Sequence, residues 1–317
     1  MLEVRDLSVC INSAGREVRA IKSVSFNVAE GETLAIVGES GCGKSMTALS
    51  LLRLLPPGGR IDRGSITLDG VELTTLSETE MRRIRGSRIS MIFQEPMTSL
   101  NPVLTIGAQV SEGLRLHRGL SKQEAFRESV SLLHQVGIPS PEARCGDYPH
   151  QLSGGMRQRV MIAMALSCKP LILIADEPTT ALDVTIQAQI LDLLNQVKRE
   201  SGMGMILISH DLGIVAENAA RTAIMYAGTI VESASTKELF DNPLHPYTKG
   251  LLDSLPQKAA PGIRLPTIPG QVPGLDNEVR GCGFCDRCRD PEKECRIEPP
   301  PVRETANGHM VRCWKKT

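Results

Sequence analysis

Short apolar runs alternate with amphipathic stretches along most of the chain. Leu2–Val9 alternates apolar and charged positions, the pattern of an edge strand, and Val24–Val28 alternates similarly. Thr33–Val37 is a short apolar run that leads into a glycine-rich loop, Gly38–Gly43. A helical pattern opens at Lys44 and is stopped after about Leu55 by Pro56-Pro57-Gly58-Gly59. Gly64–Leu73 has the pattern of a strand with a turn at Asp69-Gly70, and Leu76 to Leu166 is mostly helical apart from a strand-like Arg88–Phe93. Leu171–Ala175 and Met205–Ser209 are unbroken apolar runs, typical of strands buried on both faces, with an amphipathic helix at Val184–Glu200 between them. Thr222–Tyr226 and Thr229–Glu232 read as a hairpin around Ala227-Gly228. This alternation predicts an α/β fold with a mainly parallel sheet, helices on both faces and an inserted helical subdomain at about residues 88–165. After about Ser233 prolines, glycines and then cysteines accumulate, which predicts a domain of residues 1–235 followed by a small Cys-rich extension of residues 236–317.

Composition narrows the possible functions. Apolar residues make up 41% of the 317, enough for a sizeable core. The 36 basic and 36 acidic residues cancel and aromatics are only 3%, so neither bulk charge nor a stacking platform supports nucleic-acid binding. The N-terminus, MLEVRDLSVCI, lacks the basic and apolar regions of a signal peptide, and no stretch approaches the roughly 20 apolar residues of a membrane span. The expectation is a soluble, cytosolic protein that reaches a membrane only by docking to partners.

Gly38-Glu39-Ser40-Gly41-Cys42-Gly43-Lys44-Ser45 matches the phosphate-binding pattern G-x-x-x-x-G-K-[ST]. Its glycines let backbone N–H groups turn toward phosphate oxygens, and the helix opening at Lys44 adds its N-terminal dipole. Lys44 supplies positive charge to the β- and γ-phosphates, and the Ser45 hydroxyl can ligate Mg²⁺. The fixed letters occur by chance about once in a hundred chains of this length, and the motif falls between a strand and a helix as it should. Leu171–Ala175 runs into Asp176-Glu177, and carboxylates at the C-terminal end of a buried strand face the ligand crevice in such sheets. Asp176 suits Mg²⁺ and Glu177 suits the general base for an attacking water, a role worth about 10²–10⁴ in rate. Gln94 and His210 each follow a strand and taken alone are uninformative. Ser153 precedes Gly154-Gly155 at the start of a second helix able to meet an anion, an odd duplication unless it serves a nucleotide on another molecule.

In this order the motifs resemble those of the ABC ATPase domain, a P-loop NTPase, over about residues 1–235. Gly38–Ser45 is similar to its Walker A motif, Gln94 to its Q-loop, Leu152–Gln158 to its signature and Leu171–Glu177 to its Walker B. Ala181-Leu182-Asp183 is similar to its D-loop and His210 to its switch histidine. The resemblance implies that Gly38, Ser40, Gly41, Cys42, Gly43, Lys44, Ser45, Met46, Gln94 and Asp176 contact MgATP, with Mg²⁺ on Ser45, Gln94 and Asp176. Catalysis would fall to Glu177, His210, Lys44 and Gln94. It also implies a head-to-tail dimer of ATPase domains in which Ser153, Gly154, Gly155 and Gln158 meet the partner's nucleotide and Asp183 marks the D-loop. The adenine-stacking aromatic of the family is replaced here by Ile11, so selectivity for the base is expected to be loose. Cys42 reads first as a small filler of the loop; Lys44 and the helix N-terminus beside it would favour its thiolate, and on that second reading alkylation there is expected to block the ATPase.

Gln94-Glu95-Pro96-Met97-Thr98-Ser99-Leu100-Asn101-Pro102, Tyr148-Pro149-His150-Gln151, Asn242–Thr248 and Ile268–Pro273 resemble the oligopeptide/dipeptide/nickel importer ATPases. That family implies a peripheral subunit on the cytoplasmic face of the bacterial inner membrane. It would pair with a second, different ATPase subunit, two transmembrane permease subunits and an external solute-binding protein. Peptides are the expected cargo, with nickel chelates, glutathione-like compounds and modified sugars as relatives. A non-transport ABC ATPase, or an ATP-binding partner without turnover, is the alternative; the first commonly carries coiled-coil insertions or tandem ATPase domains absent here, and Glu177 argues against the second.

Five of the nine cysteines lie in the last 36 residues. In a reducing compartment such clustering points to metal or catalysis rather than disulfides. Gly281-Cys282-Gly283-Phe284-Cys285-Asp286-Arg287-Cys288 resembles the family's Gly-Cys-x-Phe-x-x-Arg-Cys pattern. By that resemblance Cys282, Cys288, Cys295 and Cys313 would hold a [4Fe–4S] cluster, with Zn²⁺ or no metal as the alternatives and Cys285 an additional thiol.

Overall fold

A computed structural model describes residues 1–13, 15–179, 183–255, 265–274, 279–305 and 308–315. The chain divides into two compact units. One comprises Val28–Glu32 and Thr75–Ile206; the other comprises Leu2–Asn27, Thr33–Thr74 and Leu207–Thr317. The division falls inside the strand Gly204–Ser209, all of which is buried.

The second unit opens with a four-stranded antiparallel sheet. In it Leu2–Ser13 lies between Arg16–Val28 and Arg60–Leu68, with the short Val71–Glu72 beyond. Leu2–Val9, expected as an edge strand, is therefore interior. Its first half has one covered face, with Leu2 and Val4 buried and Arg5 exposed; past an irregularity near Asp6, Leu7, Ser8, Val9 and Cys10 are all buried. Asp69-Gly70 makes the predicted turn, with Leu68 paired to Val71.

The unit's other strands run in the order Val302–Glu304, Met310–Arg312, Thr229–Ser235, Arg221–Tyr226, Thr33–Val37. Thr33–Val37 is parallel to Arg221–Tyr226 (Leu34 opposite Arg221, Val37 opposite Ile224) and buried at every position, as its unbroken apolar run predicts. Arg221–Tyr226 and Thr229–Ser235 form the expected hairpin. The C-terminal strand pair extends this sheet, with Val311 opposite Glu232. One core runs through Ala35, Val37, Ile224, Tyr226, Val231, Leu239, Tyr247, Leu252 and Phe284. The segment after Ser235 thus shares its core with the phosphate-loop strand. It also contributes two short helices, Thr236–Asp241 and Pro246–Asp253, that the proline-broken pattern had hidden.

The first unit carries the parallel pair Ile89–Ile92 and Ile172–Asp176, with Ile92 opposite Ala175. Around it lie the helices Ile106–Arg118, Lys122–Gln135, Gly154–Leu166 and Val184–Ser201. Their starts are chemically specified. Ser121 and Glu124 form a reciprocal capping box, and Thr105 accepts from Ala108 N. Ile106, Val110, Leu114, Leu133, Val160, Ile162, Ile190 and Leu194 form its core.

Candidate nucleotide site

The phosphate loop is set by close backbone approach. A Cβ at Gly38 would lie 2.2 Å from Met225 O, and one at Gly43, where φ is 109°, would lie 2.8 Å from Ile21 Cδ1. At Gly38 the clash would be with backbone; at Gly43, where the near atoms are movable side-chain ends, the positive φ calls for glycine. Gly43 then caps the helix Lys44–Leu51 without any side-chain hydrogen bond, which leaves the first N–H groups of the helix to the loop and to a ligand. Lys44 is only 7% exposed, and its Nζ donates to Gly38 O at 2.7 Å and Glu39 O at 3.1 Å. Ser40 and Gly41 are exposed; Ser45 and Met46 are half-buried. Ile11 is half-buried in the strand Leu2–Ser13. His210, exposed, follows the strand Gly204–Ser209. Asp211 caps the next helix, Leu212–Asn218, accepting from Gly213 N at 2.7 Å.

Cys42 fits the filler reading and corrects the thiolate one. It is 1% exposed, and burial raises its thiol pKa despite the lowering effects of Lys44 and of a backbone N–H. Desolvation outweighs the nearby charge. The residue packs in the loop as a neutral thiol.

In the other unit, Ile172–Asp176 delivers Asp176 at 3% exposure. Glu177 follows, half-buried, with a φ of 47°. A β- or PPII-region backbone is preferred before proline, and Pro178 comes next, so this left-handed residue stores local strain of about 1–3 kcal/mol. Gln94 leaves the neighbouring parallel strand, and its Nε2 donates to Glu177 Oε2 at 3.2 Å. The structure therefore brings together two residues that lie 83 positions apart in sequence.

Ser153 accepts from Met156 N at 3.3 Å and caps the helix Gly154–Leu166; Gly154 is exposed and Gly155 half-buried. Gln158 departs from expectation. It is 2% exposed and its Nε2 donates to Pro178 O at 2.6 Å, so it braces the Asp176–Pro178 turn of its own chain rather than facing a partner. Asp183 caps Val184–Ser201 by accepting from Ile186 N at 2.9 Å, while Ala181 and Leu182 lie outside the described residues.

The tail cysteines gather around two tight turns. Cys282 N donates to Cys295 O at 2.8 Å, and Cys288 N to Cys285 O at 3.2 Å. Burial pushes the Cys282 thiol up to about 11, with Cys295, Cys313 and Cys285 adding to the rise. Among the described residues, however, no group of three or more His, Cys, Asp or Glu is close enough to hold a metal ion. The sequence expectation of a cluster on Cys282, Cys288, Cys295 and Cys313 thus finds neighbouring thiols but no formed site.

A glycine-wrapped loop at the head of a helix, fed by a strand buried on both faces, defines a phosphate-binding nucleotide fold of the P-loop class. Residues 21–180 match the family model described as ABC transporter, and residues 231–295 match that described as Oligopeptide/dipeptide transporter, C-terminal region. A protein of Brucella melitensis named as a peptide import ATP-binding protein is 54% identical, over 100% of this chain and 98% of its own. The Dipeptide transport ATP-binding protein DppD of Bacillus subtilis is 50% identical over 99% and 94%. Among solved structures, a dimeric post-hydrolysis ATP-binding cassette bound to ADP and Pi aligns with a TM-score of 0.67 at 28% identity, covering 74% of this chain and 99% of that one. The cbiO1 cassette of Clostridium perfringens aligns at 0.64 and 28%, covering 76% and 90%. The chain belongs to the ABC transporter family, as an ATP-hydrolysing cassette with the oligopeptide/dipeptide transporter C-terminal region.

Proposed function

We propose that this ATPase energises uptake of peptides through two transmembrane permease subunits. The observation that carries the cargo class is the match of residues 231–295 to the oligopeptide/dipeptide transporter region, joined to near full-length similarity to peptide import proteins. No described helix is long and apolar enough to cross a membrane, which suits a subunit that docks to permeases on the cytoplasmic face of the inner membrane. The partner set is a second, non-identical ATPase subunit and an extracytoplasmic solute-binding protein.

In this reading Lys44 and the N–H groups of Gly38–Ser45 hold the triphosphate while Ile11 packs on the adenine. Ser45, Gln94 and Asp176 hold Mg²⁺, which neutralises phosphate charge in the transition state. Glu177 takes the proton of the attacking water and Gln94 orients that carboxylate. His210 contacts the γ-phosphate. Ser153, Gly154 and Gly155 serve the nucleotide of the partner subunit, and Asp183 lies at the D-loop.

The thiols of Cys282, Cys288, Cys295 and Cys313 suit a [4Fe–4S] cluster by number and type, since four thiolates are its usual ligands. Loading would release their protons and staple a segment with little core of its own. Iron and sulfide analysis of anaerobically purified protein tests this part, and zinc without iron would point to the other metal.

Glu177→Gln tests the catalytic assignment. Phosphate release should fall about 10²–10⁴-fold while ATP binding persists and the closed dimer accumulates, visible by size-exclusion chromatography. Undiminished hydrolysis would remove Glu177 from the base role.

A further inference from the structure

We propose that Arg287, carried by the cysteine-rich segment, is a positioning residue for the phosphate-binding loop; the proposal rests on the ATPase reading above. Arg287 is 7% exposed. Its Nη1 donates to both carboxylate oxygens of Glu39, each at 3.0 Å, and to the Tyr226 hydroxyl at 3.3 Å. Its Nε donates to Pro269 O at 2.8 Å. The guanidinium also stands 5.7 Å from the centroid of the Tyr226 ring and 6.0 Å from that of Phe284, within cation–π range. The aromatic floor is continuous: Phe284 meets Tyr226 edge-on at 5.2 Å and Tyr247 at a tilt at 5.3 Å.

Glu39 is the second residue of the phosphate loop and is held at several points. Its N–H donates to the Tyr247 hydroxyl at 3.0 Å, and its carbonyl accepts from Lys44 Nζ at 3.1 Å. Its carboxylate goes to Arg287. A carboxylate in that position is electrostatically awkward, because the loop exists to receive a polyanion. Arg287 resolves the conflict by neutralising Glu39 and fixing its direction. Arg287 is buried and Glu39 half-buried, so removing the arginine leaves the carboxylate as a partly screened, uncompensated charge. Here the leftover charge would be negative and one residue from Ser40, in the exposed part of the loop.

Arg287 lies between Cys285 and Cys288, in the turn Cys285–Arg287. Whatever orders those cysteines therefore also sets the partner of the phosphate loop. In this arrangement the segment is a brace whose integrity ATP affinity reports.

The test uses the full-length chain and the equilibrium binding of a fluorescent ATP analogue, with thermal unfolding as the check on folding. Arg287→Ala should raise the Kd about tenfold or more, an effect that weakens at high salt. Adding Glu39→Gln to Arg287→Ala should restore most of the lost affinity, because the offending charge is gone. A merely structural role predicts the reverse, with the double variant as weak as the single or weaker. If Arg287→Ala does not fold, Arg287→Gln, which keeps a donor but loses the charge, carries the same pair of measurements. An unchanged Kd in the folded single variant, or no recovery in the double, overturns the proposal. Lys44→Ala separates this from the underlying reading: loss of binding there with an unchanged Arg287 variant sinks only the brace, whereas retained binding in Lys44→Ala sinks the phosphate-loop assignment itself.

Discussion

Two helices in this protein begin with sequences suited to an anion, and they are built in opposite ways. At Lys44–Leu51 the cap is Gly43, left-handed and without a side-chain hydrogen bond, and the adjoining Lys44 is nearly buried against loop carbonyls. At Gly154–Leu166 the cap is Ser153, in extended conformation with its hydroxyl bonded to the helix, and Gly154 is open, with no atom within 4 Å of a Cβ built on it. The first start is enclosed and depends on its own unit for its shape. The second is complete as a helix end, and among the described residues no neighbouring atom would meet a side chain at its glycine. The role proposed for Gly154, to meet a partner's nucleotide, needs such an open start.

Substitution of each glycine separates the two cases. Gly43→Ala should be the most damaging. The positive φ and the contacts at 2.8 and 2.9 Å to Ile21 and Met225 should cost about 3 kcal/mol in stability, and nucleotide binding should be lost with it. Chemical unfolding and ATP titration read both effects. Gly154→Ala should leave stability unchanged or raise it by up to about 1 kcal/mol, because alanine favours a helix, while turnover in the assembled complex falls at least about tenfold. Equal loss of stability in the two variants would erase the distinction. Ser153→Ala should lower stability by about 1 kcal/mol through the lost cap, a shift a thermal melt resolves. The smallest effect concerns Cys42. Because burial raises its pKa, its thiolate is scarce at neutral pH and grows only as pH rises above the ordinary thiol range. Mass spectrometry after brief thiol labelling should find the half-buried Cys168 modified before Cys42, with Cys42 gaining on it as pH increases.

Much of the site was legible because its parts are local. The loop Gly38–Ser45, the strand end at Asp176-Glu177 and the cap at Ser153 are each defined within about eight residues, and their chemistry follows from short-range backbone geometry. What escaped is relational. Gln158 lies inside a motif but is turned inward by the Pro178 carbonyl, a contact across 20 positions that no periodicity reports. Cys42 looked activated on its second reading because Lys44 is two residues away, whereas burial of the thiol in the folded protein outweighs that charge, and local spacing does not report burial. Leu2–Val9 looked like an edge strand because alternation reports one covered face and says nothing of how many strands lie alongside.

The sequence by itself determined the class of chemistry, the order of the nucleotide motifs and the alternation of strand and helix, because each is written in local spacing and in residue types with one physical use. Tertiary structure alone decided that the cysteine-rich tail shares a core with the phosphate-loop strand, and that Arg287 reaches Glu39 across 248 positions. Such a pair forms only when a half-buried carboxylate and a buried guanidinium are brought to the same aromatic floor, and chain folding, not spacing, does that.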